Sequence, residues 1–519
     1  MHYDTIIIGA GSAGAILASR LTEDATRSVL LLEAGPDFPD LEQLPEEIKY
    51  AYGRDRNLWT RAFGQTTQFG WGYTAKTTAT AGPMPVARGK IVGGSSAVNA
   101  QIFLRGVPED YDSWASQGND RWSFDALLPY FCKIERDPDF QNAFHGNDGP
   151  IPLRRFRRDE WRPEQRAFYD ACRVAGYLDC PDHNAPDSTG VGAYPLNNVD
   201  GIRWSTALGY LSQARSRPNL TIQADCLVHR ILFAGTRAIG VQVERDGEMF
   251  TAYADEIVLS SGAIASPHLL LLSGVGPAAQ LEQHSVPVVH DLPGVGQNLR
   301  DHPQVLMTLR TKADVPLDGL APRLQVGLRY TAQNSTWRND MFLVPSSFAT
   351  QAGVATDSPA IGFYLVGCLY LAAGAGELRL ASTDPRVQPA LDYNYLAEPF
   401  DRARLREAVH LMLNLIQQDP FRTIITERVT PTDADLSSEA ALDAWMLREA
   451  TTSHHSSSTC KMGPQSDPLA VVDQFGKVHG LEQLRVADAS IMPDCIRANT
   501  NVTSMVIGER IADFMRQGL

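Results

Sequence analysis

Cysteine is sparse and unpatterned in this 519-residue chain: seven residues, at positions 132, 172, 180, 226, 368, 460 and 495, an odd number with no Cys-x-x-Cys pair. Neither a disulfide framework nor a zinc site is predicted from such spacing, and a reducing compartment fits it best. Positive charge is also in deficit. Forty-six Lys and Arg stand against sixty Asp and Glu, a net charge of −14, and no basic run is long enough to track a phosphate backbone, so nucleic acid is not an expected partner. The densest basic cluster, Arg154, Arg155, Arg157 and Arg158, runs straight into Asp159 and Glu160 and reads as a solvated turn.

Long apolar runs are missing too. The best candidate, around His268 to Val275, is interrupted by Pro267, His268, Ser273 and Gly276, well short of the ~18 residues that suggest a membrane span. Ile6 to Leu17 has the length of a signal-peptide core, but Asp4 precedes it and no basic segment does. A soluble, cytoplasmic protein with no membrane span is therefore expected. Internal repeats and low-complexity linkers are absent as well, which argues for rigidly packed domains.

What is present is the composition of an ordinary globular protein, 44% apolar and 20% charged with 41 Gly and 32 Pro. Tyr3 to Ile8 reads as a strand, Gly9-Ala10-Gly11-Ser12-Ala13-Gly14 as a turn, the stretch to Leu21 as a helix, and Ser28 to Leu32 as a second strand ending at Glu33. The spacing has a mechanical reason. Gly9 permits a tight turn, Gly11 lets the backbone approach a pyrophosphate, Gly14 lets the helix pack on the sheet, and the helix N-terminus faces the phosphates. Glu33, nineteen residues after Gly14, is placed to accept hydrogen bonds from an adenosine ribose. A glycine-rich turn without a ligand is the alternative, but strand, helix, second strand and acid in register favour a dinucleotide. NAD and FAD remain equally open at this point.

Further on, Gly89 to Asn99 is a second loop of small residues, Gly93-Gly94-Ser95-Ser96 at its centre. Gly262 to Pro277 follows the apolar strand Glu256 to Leu259, Gly294 to Leu299 leads into Asp301-His302-Pro303, and His455 to Gly463 and Asp488-Ala489-Ser490 precede Asn499-Thr500-Asn501 and a last helix. In this order the segments resemble the glucose-methanol-choline oxidoreductase family over nearly the whole chain, most of all its bacterial aryl-alcohol and hydroxymethylfurfural oxidase-like members. The resemblance implies bound FAD and an α/β fold, α+β overall. It implies a discontinuous Rossmann-like FAD domain (residues 1–155, 200–310 and 455–519) and a substrate domain (156–199 and 311–454) of mostly antiparallel sheet backed by helices. The pattern is compatible: Met341 to Ser347, Ile361 to Tyr370 and Glu377 to Ala381 read as strands, and Asp401 to Gln417 has helical spacing.

The same resemblance implies the site. Cofactor contacts are expected from Gly9, Gly11, Ser12, Ala13 and Gly14; from Glu33 and Ala34; from Val92, Gly93, Gly94, Ser95 and Asn99; from Val228; and from His454, Asp488, Ala489 and Thr500. Oxidising an alcohol needs a base for the hydroxyl proton and a group to hold the oxygen. His455, four residues before Thr459-Cys460-Lys461-Met462-Gly463, takes the first role and Asn499 the second, with N-capping of the last helix by Asn499 expected alongside. Ser456-Ser457-Ser458 stands where Pro and Gly are common in the family, so a looser loop or a differently aimed imidazole is expected. Val98 replaces the histidine of members with histidyl-linked flavin, which implies non-covalent FAD. His302 reads as a structural hydrogen-bonding element, His268 and His410 as packing residues, and no His or carboxylate cluster has metal spacing.

The expected activity is oxidation of a small-molecule alcohol, primary and with aromatic ones included, to the aldehyde, with electrons passing to O2 or another acceptor. A hydroxynitrile lyase-like or light-driven decarboxylase flavoenzyme of the same fold is the alternative. Pocket walls are expected from residues 340 to 370, where Phe342, Phe348, Phe363 and Tyr364 lie.

Overall fold

A computed structural model describes residues 2–50, 52, 58–63, 67–317, 321–351 and 358–519. Two seven-stranded sheets organise it. In the first, the strand His2–Ile8 lies between Val29–Leu32 and Glu248–Leu259, with Leu220–Gln223 beyond the former and Leu484–Val486 against the latter, all parallel. Arg237–Arg245 and Cys226–Ala234 extend it antiparallel. Val29, Leu30, Leu31 and Leu32 are all buried, the continuous apolar run of a parallel strand covered on both faces. The helices Gly14–Leu21 and Thr500–Arg516 pack together beside it. They are pinned by buried Glu509, which accepts from Arg20 Nε at 2.9 Å and Tyr210 OH at 2.8 Å and pairs with Lys133 at 2.7 Å.

The second sheet is antiparallel throughout, in the order Ile425–Thr430, Pro303–Thr311, Ala360–Leu369, Met341–Thr350, Val326–Tyr330, Gly190–Ala193, with Thr451–Thr452 also on Pro303–Thr311. The helix Pro399–Leu415 backs it, burying Leu405, Val409 and Met412. Gly367 lets it come close, because a Cβ there would sit 3.2 Å from that of Ala408. This is the expected α/β architecture with its antiparallel partner. The strand expected at Glu377 to Ala381 is only Glu377–Arg379, half of a two-stranded ribbon.

Two expectations fail for reasons of charge. His410 lies on the exposed face of its helix beside Glu439 (3.2 Å), away from the core. Arg155 is not in a solvated turn: its side chain is 8% exposed and meets Asp137 at 2.8 Å and Asp182 at 3.3 Å, as a guanidinium withdrawn from water requires. Its neighbours Arg157 and Arg158 are exposed.

Candidate active site

The sheets meet at a cavity of about 1260 Å³. Gly9, Gly11, Ser12 and Ala13 line it from the first loop, Gly94, Ser95 and Asn99 from the second, and Glu33, Ala34 and Val228 from the first sheet. His454, His455, Asp488, Ala489, Asn499 and Thr500 close it from the C-terminal third. Gly14, Val92 and Gly93 lie behind this wall and brace it. A Cβ on Gly14 would stand 1.9 Å from the Gly9 carbonyl oxygen, whereas one on Gly11 would meet only Gly94 Cα, at 3.9 Å. Gly93, at φ +101°, donates from its N–H to the Ala10 carbonyl at 2.8 Å.

Glu33 Oε2 accepts from Ala10 N–H and Oε1 from Gly35 N–H, each at 3.0 Å; burial outweighs these bonds and lifts its carboxyl to about 7. Asp488 joins the helix Gly262–Leu272 to the C-terminal segment, accepting from Gly262 N–H (2.9 Å), Ser266 Oγ (2.6 Å) and Ser490 N–H (2.8 Å). Ser12 Oγ donates to Asn501 Oδ1 at 2.7 Å. The residues fit a dinucleotide cofactor: Gly11 leaves a space that a Cβ would fill, and the buried Asn499 Oδ1 and Asn501 Nδ2 on the cavity wall have no hydrogen-bond partner among the described residues.

Asp301 sets the histidine segment in place. Its Oδ1 accepts from the backbone N–H of His302 (2.7 Å) and His455 (2.8 Å), and its Oδ2 from Tyr395 OH (2.6 Å) and Thr452 Oγ1. Thr452 Oγ1 in turn accepts from His454 N–H at 2.7 Å. His454 is held at φ +63°, with its carbonyl accepting from Arg88 Nη1 at 2.7 Å; burial and the Arg88 charge lower its imidazole to about 3. The three serines that follow are buried, and Ser457 N–H bonds to the Arg300 carbonyl at 2.9 Å, so the loop is well tied rather than loose.

The tautomer of His455 follows from its neighbours. The Ile496 carbonyl can only accept, so His302 Nε2, 2.8 Å away, carries a hydrogen. Burial holds His302 neutral, at about 4, so its Nδ1 is bare and accepts. The 2.8 Å contact between the two Nδ1 atoms is therefore donated by His455. Burial, and then the neighbouring His302, hold His455 well below the ordinary imidazole value, and as a neutral ring it presents a bare Nε2. Asn499 Nδ2 donates to that atom at 2.9 Å. Asn499 occupies the N-cap position of the last helix, but its side chain makes no capping bond; His455 has claimed it instead.

The antiparallel sheet supplies the facing wall in register. Gln304 pairs with Cys368 and Cys368 with Phe342; two residues outward Leu306, Val366 and Val344 align; beyond them Thr308, Tyr364 and Ser346 do the same. All nine line the cavity. The first row abuts the histidines: Gln304 Oε1 accepts from Ser453 Oγ at 2.9 Å, and Tyr370 stacks on both His302 and Phe342 with centroids 4.5 Å apart. Phe342 and Tyr364 thus lie where expected. Phe363 faces the other side of the sheet, 5.8 Å from Phe421, and Phe348, at φ +65°, packs under Arg162; residues 352–357 lie outside the described residues.

Away from the cavity, folding gathers Glu135, Asp137 and His145, whose ligand atoms lie within 4.8 Å of one another. No spacing motif announces it, because the three ligand atoms come together only through the fold. Asp182, Arg105 and Arg155 share the cluster, so its charges balance internally. Burial works against the imidazolium, but the hydrogen bonds it donates to Asp137, Asp182 and Glu135 raise His145 to about 10.

A glycine-loop sheet and the His455–Asn499 pair open on one cavity. The GMC oxidoreductase family models match residues 3–304 and 373–508. A GMC-type oxidoreductase of Rhodococcus erythropolis is 37% identical over 98% of this chain and 97% of its own length. The mitochondrial choline dehydrogenase of Mus musculus is 36% identical over 99% and 89%. The crystal structure of pyridoxine 4-oxidase from Mesorbium loti superposes with a TM-score of 0.90 at 29% identity, covering 99% of each chain. The chain belongs to the GMC oxidoreductase family, and it is an FAD-dependent enzyme acting on CH–OH donors. Among the described residues no helix is long and apolar enough to cross a membrane.

Proposed function

We propose that this enzyme oxidises a primary alcohol, aromatic ones included, to the aldehyde, with His455 as base and Asn499 holding the reacting oxygen. The observation that carries the reading is the bare Nε2 of His455 on the cavity wall, 2.9 Å from Asn499 Nδ2. A substrate hydroxyl entering between them takes the place of the Asn499 amide on the single Nε2 lone pair, donates its proton there and accepts from the displaced Asn499 N–H. FAD, when bound, supplies the acceptor for the hydride leaving the carbinol carbon, and the electrons then pass to O2 or another acceptor. Gly11, Glu33, Gly94, Asn99 and Asp488 are the principal cofactor residues of this reading, and the Thr500 end of the last helix favours negative charge nearby. The cofactor domain comprises residues 1–155, 200–302 and 455–519 and the substrate domain the remainder, because the expected boundary at 310 falls inside the strand Pro303–Thr311 of the antiparallel sheet. Pyridoxine 4-oxidase, among the neighbours, is named for an aromatic alcohol.

The test is anaerobic mixing of the holoenzyme with benzylic, furanic, aliphatic and amino alcohols while flavin absorbance is followed, then admission of air. Bleaching is expected for at least one class, and prompt recolouring would mark O2 as the acceptor. Flavin left oxidised by the whole panel would overturn the reading. His455→Ala should lose about 10³-fold in kcat with FAD content unchanged; near-normal turnover would remove the assigned role. The FAD is non-covalent in this reading, supported by the apolar, buried Val98 on the cavity wall, so acid precipitation should leave it in the supernatant.

A further inference from the structure

The loop 382–388 leaves and rejoins the two-stranded ribbon Glu377–Arg379 and Ala390–Asp392 in the substrate half of the chain, yet Pro385, Arg386 and Gln388 line the cavity. Asp384 shapes it. Its Oδ1 accepts from Arg386 N–H and its carbonyl from Val387 N–H, both at 3.0 Å, a turn that holds Pro385 and Arg386 at the tip. Two side chains then tie the loop to the cofactor half. Arg386 Nη2 donates to Glu244 Oε2 at 2.6 Å, an oxygen that also meets His229 Nε2 at 2.7 Å. Gln388 grips Thr74 as a neighbouring strand would: Oε1 accepts from Thr74 N–H at 2.9 Å and Nε2 donates to the Thr74 carbonyl at 2.7 Å.

The Glu244 tie falls at the end of the cavity where Glu33 stands. Cys226 N–H donates to the Glu33 carbonyl at 2.8 Å, Leu227 follows on the cavity wall, and Glu244 is the register partner of Leu227. The Thr74 tie leads towards the histidines: Thr74 pairs with Pro85, and Arg88, three residues on, reaches the His454 carbonyl. We propose that the loop 382–388 is a cofactor-binding strap, which crosses the cavity over the adenosine half of FAD and sets how fast the cofactor leaves. The inference rests on the reading above, in which FAD fills the glycine-loop end of the cavity with Glu33 at its ribose. The Arg386 side chain is 57% exposed, so its ion pair is screened by water and salt and is the end that lets go. The two bonds of Gln388 to a single backbone residue are part-buried and act as the hinge. An adenosine covered on its outer side departs only when the strap lifts, so the release rate reports the strength of both ties.

The test is the rate at which the holoenzyme releases FAD on dilution, followed by flavin fluorescence. Gln388→Ala should release it at least 10-fold faster and Arg386→Gln about 5-fold faster, and the rise of the wild-type rate with salt should flatten in Arg386→Gln. Lys76→Ala is the control. Lys76 pairs with Asp392 at 2.7 Å on the same ribbon, neither is among the residues that line the cavity, and its release rate should match wild type. Both strap variants at the wild-type rate would overturn the proposal. So would Lys76→Ala accelerated as much as they are, since the two halves would then merely have loosened. Tm is read for each variant, and Arg386→Gln, a change at an exposed side chain, keeps the test decisive if Gln388→Ala fails to fold. Flavin retained by the acid-precipitated protein would remove the strap's control of release and leave alcohol oxidation standing. Flavin left oxidised by every alcohol would remove the functional reading, and the release rates would still decide the strap.

Discussion

His302 acts on the candidate base without reaching the cavity wall. Its Nε2–H is spent on the Ile496 carbonyl and its bare Nδ1 fixes the hydrogen of His455 on the far side of that ring. Because burial depresses the His455 pKa and the neighbouring His302 depresses it further, the base stays neutral until the medium is more acid than an ordinary histidine's value, about 6.5. Activity should therefore be retained through neutral pH and fall only as pH drops below that range. In His302→Ala the acid limb of the kcat/KM profile should move to higher pH, and kcat should fall about 10- to 100-fold; an unmoved acid limb would make His302 merely structural. The sequence shows His455 through its motif, but not this dependence. The two histidines are 153 residues apart, and a hydrogen bond across that interval is decided by the fold.

At the level of elements, the glycine loop separates two roles that the spacing only names together. Gly14 has no room for a Cβ, its nearest contact being the Gly9 carbonyl at 1.9 Å, whereas Gly11 has only Gly94 Cα at 3.9 Å. Gly14→Ala should lower stability by roughly 2–3 kcal/mol through overpacking, read as a fall in Tm. Gly11→Ala should keep the apoprotein's Tm and weaken FAD binding at least 10-fold by equilibrium titration; equal effects of the two on Tm would refute this division. The same contrast explains what was legible in the second sheet. Apolar runs marked the strands Met341–Thr350 and Ala360–Leu369, yet which aromatic faces the cavity depends on register and on the irregular backbone at Phe348, so Phe342 and Tyr364 reach the cavity and Phe363 does not.

For the whole molecule, the buried charge cluster around His145 stands apart from the chemistry and bears on stability. Its imidazole titrates near 10 in the folded state against about 6.5 unfolded. The stability it contributes is full below the unfolded value and is lost as pH rises through the folded one. Tm at saturating FAD should decline between neutral pH and pH 10, and His145→Gln should flatten that decline and cost roughly 3 kcal/mol at pH 7; an alkaline slope identical to wild type would assign it to other groups. This cluster was invisible in the sequence because Glu135, Asp137, His145 and Asp182 belong to no motif and meet only after their segments pack.

The bond from Ser12 Oγ to Asn501 Oδ1 spans 489 positions. During synthesis the glycine loop emerges from the ribosome long before Asn499 and Asn501 are translated, so on the proposed cofactor assignment a nascent chain would carry half a cradle for almost the entire elongation. On that assignment holoenzyme formation would be a late event, and a polypeptide cut short before Asn499 would keep the glycine loop and lack the partner that Ser12 meets at Asn501.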